Sequence, residues 1–176
     1  MNLKLKRTPG IYLVGFMGSG KSTIGRLLAH RLGWSFFDTD EEIEHAERTS
    51  IAKIFEDRGE PEFRRIETAI VRQHVAWIER GRPAVVALGG GAFIQPENRE
   101  TLVDRGVTVW LDCPFETVAR RVAQASHRPL ARNTEELAEL HRSRLELYRL
   151  ADVHIPVASD EAEETVEAIL NHPLIR

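Results

Sequence analysis

Four short runs of apolar, largely β-branched residues set the strongest limit on what this chain can fold into. The runs are IYLVG from Ile11, AVVALGGG from Ala84, VTVWLD from Val107 and VHIPV from Val153, and WSFF from Trp34 is a weaker fifth. Nearly continuous apolar runs of this length are typical of strands buried on both faces of a parallel sheet. Because such a sheet needs a helical layer on each face, the chain is predicted to alternate strands with helices.

The segments between these runs carry helical patterns, and the clearest follows the first strand. One stripe holds Ile24, Leu27, Leu28 and Leu32, and Gly33 stands where a left-handed residue commonly ends a helix. The βαβα order predicts an α/β fold of three layers, with a five-stranded parallel sheet flanked by helices. In such a sheet, ligands bind beyond the carboxyl ends of the strands.

The residues that join the first strand to the first helix match a phosphate-binding motif. GFMGSGKS, from Gly15 to Ser22, satisfies G-x-x-x-x-G-K-[ST] and lies between an apolar strand and an amphipathic helix, as the mechanism requires. Glycines let backbone N–H groups curl around a phosphate, Lys21 reaches the outer phosphates, and the Ser22 hydroxyl can ligate magnesium. We therefore predict a nucleoside triphosphate site. Its residues are Gly18, Ser19, Gly20, Lys21, Ser22 and Thr23.

A cluster of acids, FFDTDEEIE, follows the weaker strand. The sequence has no guanine-binding N-K-x-D motif, and VVALGGG ends in glycines where a Walker B strand ends in an acid, so another residue must help hold the metal. Asp38, at the same edge of the sheet as the phosphate loop, is the candidate. Thr39 and Glu42 also match a capping box, and acids are favoured at a helix start. Capping and function therefore stay open as alternatives for Asp38 and Asp40.

A later helix carries an arginine within its apolar stripe. Leu137, Leu140, Arg144 and Leu147 fall at i, i+3, i+7 and i+10, which places the arginine on the inward side. A buried guanidinium needs an anion. An arginine whose stem covers the stripe, or one paired with a neighbouring glutamate, would give the same pattern.

Composition excludes several classes of protein. A chain of 176 residues suits a single domain, 1–176, and none of its runs approaches the ~20 apolar residues that span a bilayer, so no membrane partner is expected. A net charge of -3 argues against a nucleic-acid-binding protein. Cys113 is the only cysteine and the seven histidines lack metal-ligand spacing, so we expect a cytoplasmic protein without a disulfide or a zinc site.

Several of these segments together resemble the bacterial shikimate kinases. LVGFMGSGKSTIGRLLA, FFDTDEEIE, SIAKIFEDRGEPEFRRIE, VVALGGGA, RPL from Arg128 and RLELY from Arg144 occur in that family's order and approximate spacing, over about 11–155. A phosphate loop alone is unspecific, but its combination with D-T-D, G-E-x-x-F-R-x-x-E and the triple glycine is specific. The resemblance implies a monomeric P-loop kinase, of the nucleoside-monophosphate-kinase type, that phosphorylates the shikimate 3-hydroxyl with ATP and Mg²⁺ in chorismate biosynthesis.

The resemblance also implies roles for individual residues. Asp38 would support magnesium, and Asp40 would hydrogen-bond the accepting hydroxyl and orient or deprotonate it. Arg64 and Arg144 would clamp the shikimate carboxylate, and Glu67, one turn after Arg64, is placed to orient that guanidinium. Backbone N–H groups of the triple glycine would face shikimate and the γ-phosphate; these residues are Gly89, Gly90 and Gly91.

Two further segments are implied by the same resemblance. Residues 39–68 would form a small substrate-binding insertion, in which Phe55 and Phe63 either pack near the substrate ring or fill the core. Residues 122–134 would form a lid, with Arg128 reaching the transferring phosphoryl group unless it is simply solvated. Arg121 would flank adenine.

Two other functions stay open at this point. A kinase of another small polyol or sugar acid, such as gluconate or a cyclitol, would have a similar phosphate loop and lid. The paired arginines and the D-T-D motif weigh against it. A nucleotide-binding regulator that has lost catalysis is the second alternative, and the presence of Lys21, Asp40 and Arg128 at the expected catalytic positions weighs against that.

Overall fold

A five-stranded sheet forms the centre of the computed structural model, which describes residues 10–125 and 133–176. Its strands are β1 (Gly10–Val14), β2 (Ser35–Asp38), β3 (Ala84–Ala87), β4 (Val107–Asp112) and β5 (Val153–Pro156). They are arranged in the order β2-β3-β1-β4-β5, and every neighbouring pair is parallel. The predicted parallel sheet is confirmed, including the strand at WSFF.

Helices flank this sheet, which confirms the predicted α/β class. In the described residues they are α1 (Lys21–Leu32), α2 (Thr39–Glu47), α3 (Ile51–Arg58), α4 (Glu60–Glu79), α5 (Pro96–Leu102), α6 (Phe115–Gln124), α7 (Thr134–Tyr148) and α8 (Ala162–Leu170). None of the helices in the described part of the chain is long and apolar enough to cross a membrane.

The burial of the strands explains their continuous apolar sequences. All residues of β1 and β3 are buried, as are the first five of β4, because helices cover both of their faces. A second, smaller core lies apart from the sheet, beneath α2, α3 and α4. It consists of Ile43, Ile54, Phe63 and Ile66.

The ends of two helices test the predicted caps. Gly33, with φ of 67°, ends α1 as predicted, and its N–H donates to the carbonyls of the last turn. The capping box predicted for Thr39 and Glu42 is wrong. Asp38 caps α2 instead, since its side chain accepts hydrogen bonds from the N–H groups of Asp40 (3.0 Å) and Glu41 (3.2 Å).

The predicted insertion lies within the described residues, whereas most of the predicted lid lies outside them. Residues 39–68 form α2, α3 and the first part of α4, which continues beyond the predicted boundary to Glu79. Of the predicted lid, 122–124 belong to α6 and Thr134 begins α7, which Asn133 caps. Ala125 is the C-cap of α6. The rest of the lid, with Arg128, falls in 126–132, outside the described residues.

The close packing around Gly106, at the edge of the sheet opposite the phosphate loop, predicts that a side chain there destabilises the protein. Its φ is 152°, and a Cβ there would lie 2.5 Å from the Tyr12 ring and 2.7 Å from the Gly10 carbonyl oxygen. Gly106→Ala should therefore lower the free energy of unfolding, measured in urea, by about 2–4 kcal/mol. Gly81→Ala is the control, because Gly81 has φ of 79° but no atom within 4 Å of a Cβ, and it should cost only about 1 kcal/mol. Equal losses in the two variants would contradict the steric explanation.

Candidate active site

The phosphate loop lies at the carboxyl end of β1, as the sequence predicts. Gly18 and Gly20 adopt φ of 74° and 93°, and α1 begins directly after Gly20. The first N–H groups of α1 therefore point into the loop, where an anion can accept their hydrogen bonds. The Lys21 ammonium donates to the carbonyls of Gly15 (2.8 Å) and Phe16 (2.9 Å), which holds its charge at the mouth of the loop.

A cleft of about 450 Å³ opens above this loop. Most of the predicted phosphate-binding residues line it, namely Gly18, Gly20, Lys21, Ser22 and Thr23. Ser19, which was predicted with them, has a buried side chain, its hydroxyl has no partner in the described residues, and its N–H donates to the Phe16 carbonyl at 3.2 Å. Ser19 therefore shapes the turn of the loop from below.

The connection between β5 and α8, together with the first turns of α8, forms the other wall of the cleft, which the sequence did not predict. Its lining residues include Val157, Ser159, Asp160, Ala162 and Thr165. Arg121 joins this wall to the loop, because one of its nitrogens donates to the Gly18 carbonyl (2.9 Å) and another to Asp160 (2.8 Å). The hydrogen bond from Arg121 lowers the pKa of the Asp160 carboxyl, so this carboxylate stays ionised.

Asp38 caps a helix and also contacts the phosphate loop. One carboxylate oxygen caps α2, and the other accepts a hydrogen bond from the Ser22 hydroxyl. Mg²⁺ prefers oxygen ligands and is usually held by one or two protein groups together with substrate phosphates and water. Within 10–125 and 133–176, no three acids, histidines or cysteines are grouped so that they could hold a metal ion by themselves. A hydroxyl and a carboxylate beside the phosphate loop therefore fit magnesium that binds together with a nucleotide.

The triple glycine follows β3 and lies against two of the predicted side chains. A Cβ at Gly89 would stand 2.5 Å from a carboxylate oxygen of Asp40, and a Cβ at Gly91 would stand 2.5 Å from a guanidinium nitrogen of Arg64. Real Cβ atoms do not approach polar atoms this closely. The bare backbone therefore makes the room in which an acid and an arginine can flank one strand end.

Gly90, between them, faces both the nucleotide cleft and the second predicted arginine. It lines the cleft, and a Cβ there would lie 3.4 Å from the Met17 N atom in the phosphate loop and 3.5 Å from a guanidinium nitrogen of Arg144. The structure thus brings Asp40, Arg64 and Arg144 to one place beside the phosphate loop.

Arg64 has a buried partner, as the one-turn spacing predicts. A guanidinium nitrogen of Arg64 donates to Glu67 at 2.7 Å, and the Glu67 side chain is only 1% exposed. Burial raises the pKa of the Glu67 carboxyl to about 7, although Arg64 lowers it, and the nearby Asp40 charge adds to the increase. The pair fixes the direction in which Arg64 presents its other nitrogens.

Arg144 lies half-buried on α7, with its guanidinium 5.5 Å from the centre of the Phe16 ring. The inward stripe of α7 differs slightly from the predicted one, because its fully buried members are Leu137, His141 and Tyr148. The arginine nevertheless lies on the side that faces the site.

Two contacts near the triple glycine were not predicted from sequence. The Tyr148 hydroxyl donates to the Gly90 carbonyl at 2.5 Å, and Thr39 accepts from the Gly89 N–H at 3.0 Å. The Phe55 and Phe63 rings pack at an angle of 40° with their centroids 4.7 Å apart, Phe63 within the small core and Phe55 against it, which favours the core role for both.

Comparison with known proteins decides between the families that share this geometry. A model of the shikimate kinase family matches residues 17–173. The chain belongs to the shikimate kinase family. This kinase is 40% identical over 161 residues to the shikimate kinase of Persephonella marina, covering 91% of the chain and 96% of that relative. It is 41% identical over 165 residues to that of Geobacter metallireducens, covering 92% and 90%.

Solved structures agree with this membership. This chain is similar to the structure of the shikimate kinase from Acinetobacter baumannii in complex with shikimate, with a TM-score of 0.85 and 38% identity. The match covers 97% of this chain and 95% of that one. The Aquifex aeolicus enzyme gives 0.79 at 38% identity, covering 92% and 94%. A gluconokinase from Sinorhizobium meliloti, at 24% identity and a TM-score of 0.58, covering 92% and 89%, shares the fold alone.

The pKa of Glu67 predicts how the stability of the kinase depends on pH. A carboxyl whose pKa is raised in the folded state stabilises the protein below its unfolded pKa and loses this contribution as pH rises. The free energy of unfolding of the wild type, minus that of Glu67→Gln, should therefore fall from about pH 4.5 to about pH 7 and then level off.

Glu62→Gln is the control, since Glu62 lies one turn earlier on α4 and a hydrogen bond from Arg65 lowers its pKa. The free energy of unfolding of the wild type, minus that of Glu62→Gln, should fall only as pH is lowered through and below about 4.5. Above about pH 4.5 this difference should not change with pH. Urea denaturation across this range provides both curves. A flat curve for Glu67 above pH 4.5 would contradict the raised pKa.

Proposed function

We propose that this chain transfers the γ-phosphoryl group of ATP to the 3-hydroxyl of shikimate, giving shikimate 3-phosphate and ADP. The observation that carries the proposal is the convergence of Asp40, Arg64 and Arg144 on a strand end that also lines the nucleotide cleft. These residues and the phosphate loop all come from one chain, so a monomer can hold the complete site.

The nucleotide half of the reaction is assigned to the phosphate loop. The N–H groups at the start of α1 are assigned to donate hydrogen bonds to the phosphate oxygens, and Lys21 exchanges its two carbonyl partners for phosphate oxygens. Mg²⁺, when bound, neutralises charge on the β- and γ-phosphates, and Ser22 and Asp38 are the residues that would hold it. Arg121 borders the part of the cleft assigned to adenine. Arg128 is proposed to contact the transferring phosphoryl group.

The acceptor half of the reaction needs a group that directs the shikimate hydroxyl. Asp40 lies in the cleft beside Gly89, where its carboxylate can accept the hydrogen bond of that hydroxyl. The hydroxyl oxygen bonds to the γ-phosphorus while the bond from phosphorus to the bridging oxygen of ADP breaks. Asp40 orients the nucleophile and is the nearest assigned group that can take its proton.

Arg64 and Arg144 are proposed to bind the shikimate carboxylate. A guanidinium can donate two parallel hydrogen bonds to a carboxylate, and two guanidiniums at one place supply the charge that a partly buried carboxylate requires. Arg64 is 18% exposed and held by Glu67, so little side-chain freedom is lost on binding. This requirement for an acid is what distinguishes shikimate from a neutral polyol.

A substrate panel tests the proposed function directly. Release of ADP should be measured with shikimate, quinate and gluconate as acceptors, and NMR of the product should place the phosphate on the 3-hydroxyl. We expect turnover with shikimate to exceed turnover with the other two. Lys21→Ala, checked for folding by circular dichroism, serves as the inactive control. Faster turnover of gluconate would favour the sugar-acid kinase alternative.

The proposed clamp makes a quantitative prediction for Arg64→Ala. Since a hydrogen bond to a charged group contributes roughly 1.5–3 kcal/mol, the loss of Arg64 should weaken apparent shikimate affinity by about 10- to 150-fold and leave ATP affinity nearly unchanged. Arg65→Ala is the control, because that neighbouring side chain is 69% exposed and pairs with Glu62.

A shikimate analogue with a primary alcohol in place of the carboxylate separates the clamp from a general loss of structure. Wild type should lose far more affinity for this analogue than Arg64→Ala loses. Equal penalties in the two proteins would mean that Arg64 does not contact the carboxylate.

The proposed role of Asp38 predicts that Asp38→Asn changes the magnesium requirement. Asparagine caps helices as well as aspartate does, so α2 should stay intact while the carboxylate charge is lost. The magnesium concentration for half-maximal rate should rise by about 10-fold or more. Ser50→Ala is the control, since Ser50 caps α3 through the Lys53 N–H and its loss should affect stability alone. Identical magnesium curves for wild type and Asp38→Asn would contradict the assignment.

A further inference from the structure

Three hydrogen bonds hold the triple glycine, one for each of its successive peptide units. The Gly89 N–H donates to Thr39 Oγ1 at 3.0 Å, and the Gly89 carbonyl accepts from the Ala92 N–H at 2.9 Å. The Gly90 carbonyl accepts from the Tyr148 hydroxyl at 2.5 Å. Two of these three bonds come from side chains on other elements, and neither side chain lines the cleft.

These bonds determine where the N–H groups of the glycines point. In a planar trans peptide, the carbonyl and the N–H of one unit point in opposite directions. The bond to the Gly89 carbonyl therefore sets the direction of the Gly90 N–H, and the bond from Tyr148 to the Gly90 carbonyl sets that of the Gly91 N–H. Glycine backbones are conformationally permissive, so the sequence of the triplet itself does not fix these directions.

Tyr148 is placed to act as a rigid donor. Its side chain is 1% exposed and packs against Trp110, with 6.2 Å between the ring centroids. Burial raises the pKa of its hydroxyl to about 12, so the group stays protonated at neutral pH. Tyr148 also lies one turn after Arg144 on α7, so a single helix presents both the guanidinium and the hydroxyl to Gly90.

Thr39 holds the first peptide unit of the triplet in the same way. It is completely buried and lies between Asp38 and Asp40, at the start of α2. Its bond to Gly89 fixes the strand end against the segment that carries both acids. The same bond uses the Gly89 N–H, which leaves the ligand-facing role in the triplet to Gly90 and Gly91.

We infer that Tyr148 and Thr39 are positioning residues, which orient the peptide units of the triple glycine toward shikimate and the transferring phosphoryl group. The inference rests on the proposed function. On this inference, a hydroxyl outside the cleft affects the reaction because donors that are already aimed need no reorganisation when charge develops. Without the Tyr148 hydroxyl, the unit between Gly90 and Gly91 is free to rotate.

Tyr148→Phe, compared with Tyr12→Phe, tests this role. Both tyrosines are almost completely buried and donate to a backbone carbonyl, but Tyr12 bonds to Arg105 (3.4 Å), near the opposite edge of the sheet. The two variants thus lose the same atom. Tyr148→Phe should lower kcat/KM for shikimate by about 10- to 100-fold and weaken shikimate binding measured by calorimetry without nucleotide, while the KM for ATP changes little. Tyr12→Phe should change only the melting temperature.

Equal kinetic and binding constants in the two tyrosine variants would overturn the role of Tyr148. If Tyr148→Phe does not fold, Thr39 keeps the inference testable. Thr39→Ser retains the acceptor oxygen and should retain most of the activity, whereas the isosteric Thr39→Val should lose it. A Thr39→Val protein as active as Thr39→Ser would overturn the inference. A wild type that does not phosphorylate shikimate would instead defeat the proposed function.

Discussion

The close approach of charged side chains to a bare backbone at the end of β3 is the constraint on which the rest of the site depends. Any side chain on Gly89 or Gly91 would occupy the space of Asp40 or Arg64. Because β3 pairs with β1 in the sheet, this bare segment also lies beside the phosphate loop. Sheet order and glycine together therefore place Asp40 and Arg64 next to the phosphate loop.

Charge balance explains how two arginines can stand so close to this segment. Arg64 is paired with Glu67, and Asp40 adds a second carboxylate nearby. These acids limit the repulsion between the guanidiniums before a ligand arrives. The burial of Glu67 is the unfavourable part of this arrangement, because it raises the pKa of the Glu67 carboxyl even though Arg64 lowers it.

Local patterns carried most of what could be predicted from the sequence. The strands, the cap at Gly33 and the pairing of Arg64 with Glu67 depend on residues within a few positions of one another, and all are confirmed. The capping box failed because Thr39 is engaged by Gly89, 50 positions away, which left the cap to Asp38.

Long-range contacts at the site were missed for the same reason. The hydrogen bond from Tyr148 to Gly90 joins residues 58 positions apart in the sequence, and that from Arg121 to Asp160 joins residues 39 positions apart. No periodic pattern encodes these pairs, because they arise only when the sheet brings distant strand ends to one edge. The arginine on α7 was predictable, since it interrupts an apolar stripe, but its neighbours around Gly90 were not.

The small core formed by α2, α3 and α4 is a packing unit distinct from the main core. Ile43, Ile54, Phe63 and Ile66 pack among themselves, apart from the main core that supports the phosphate loop. One helix joins the two cores, because α4 places Phe63 and Ile66 in the small core and Val71, Val75 and Ile78 in the main core. The second half of α4 is thus anchored on the main core, so we expect variation in the small core to displace α2, α3 and the start of α4 more than it displaces β1 and α1.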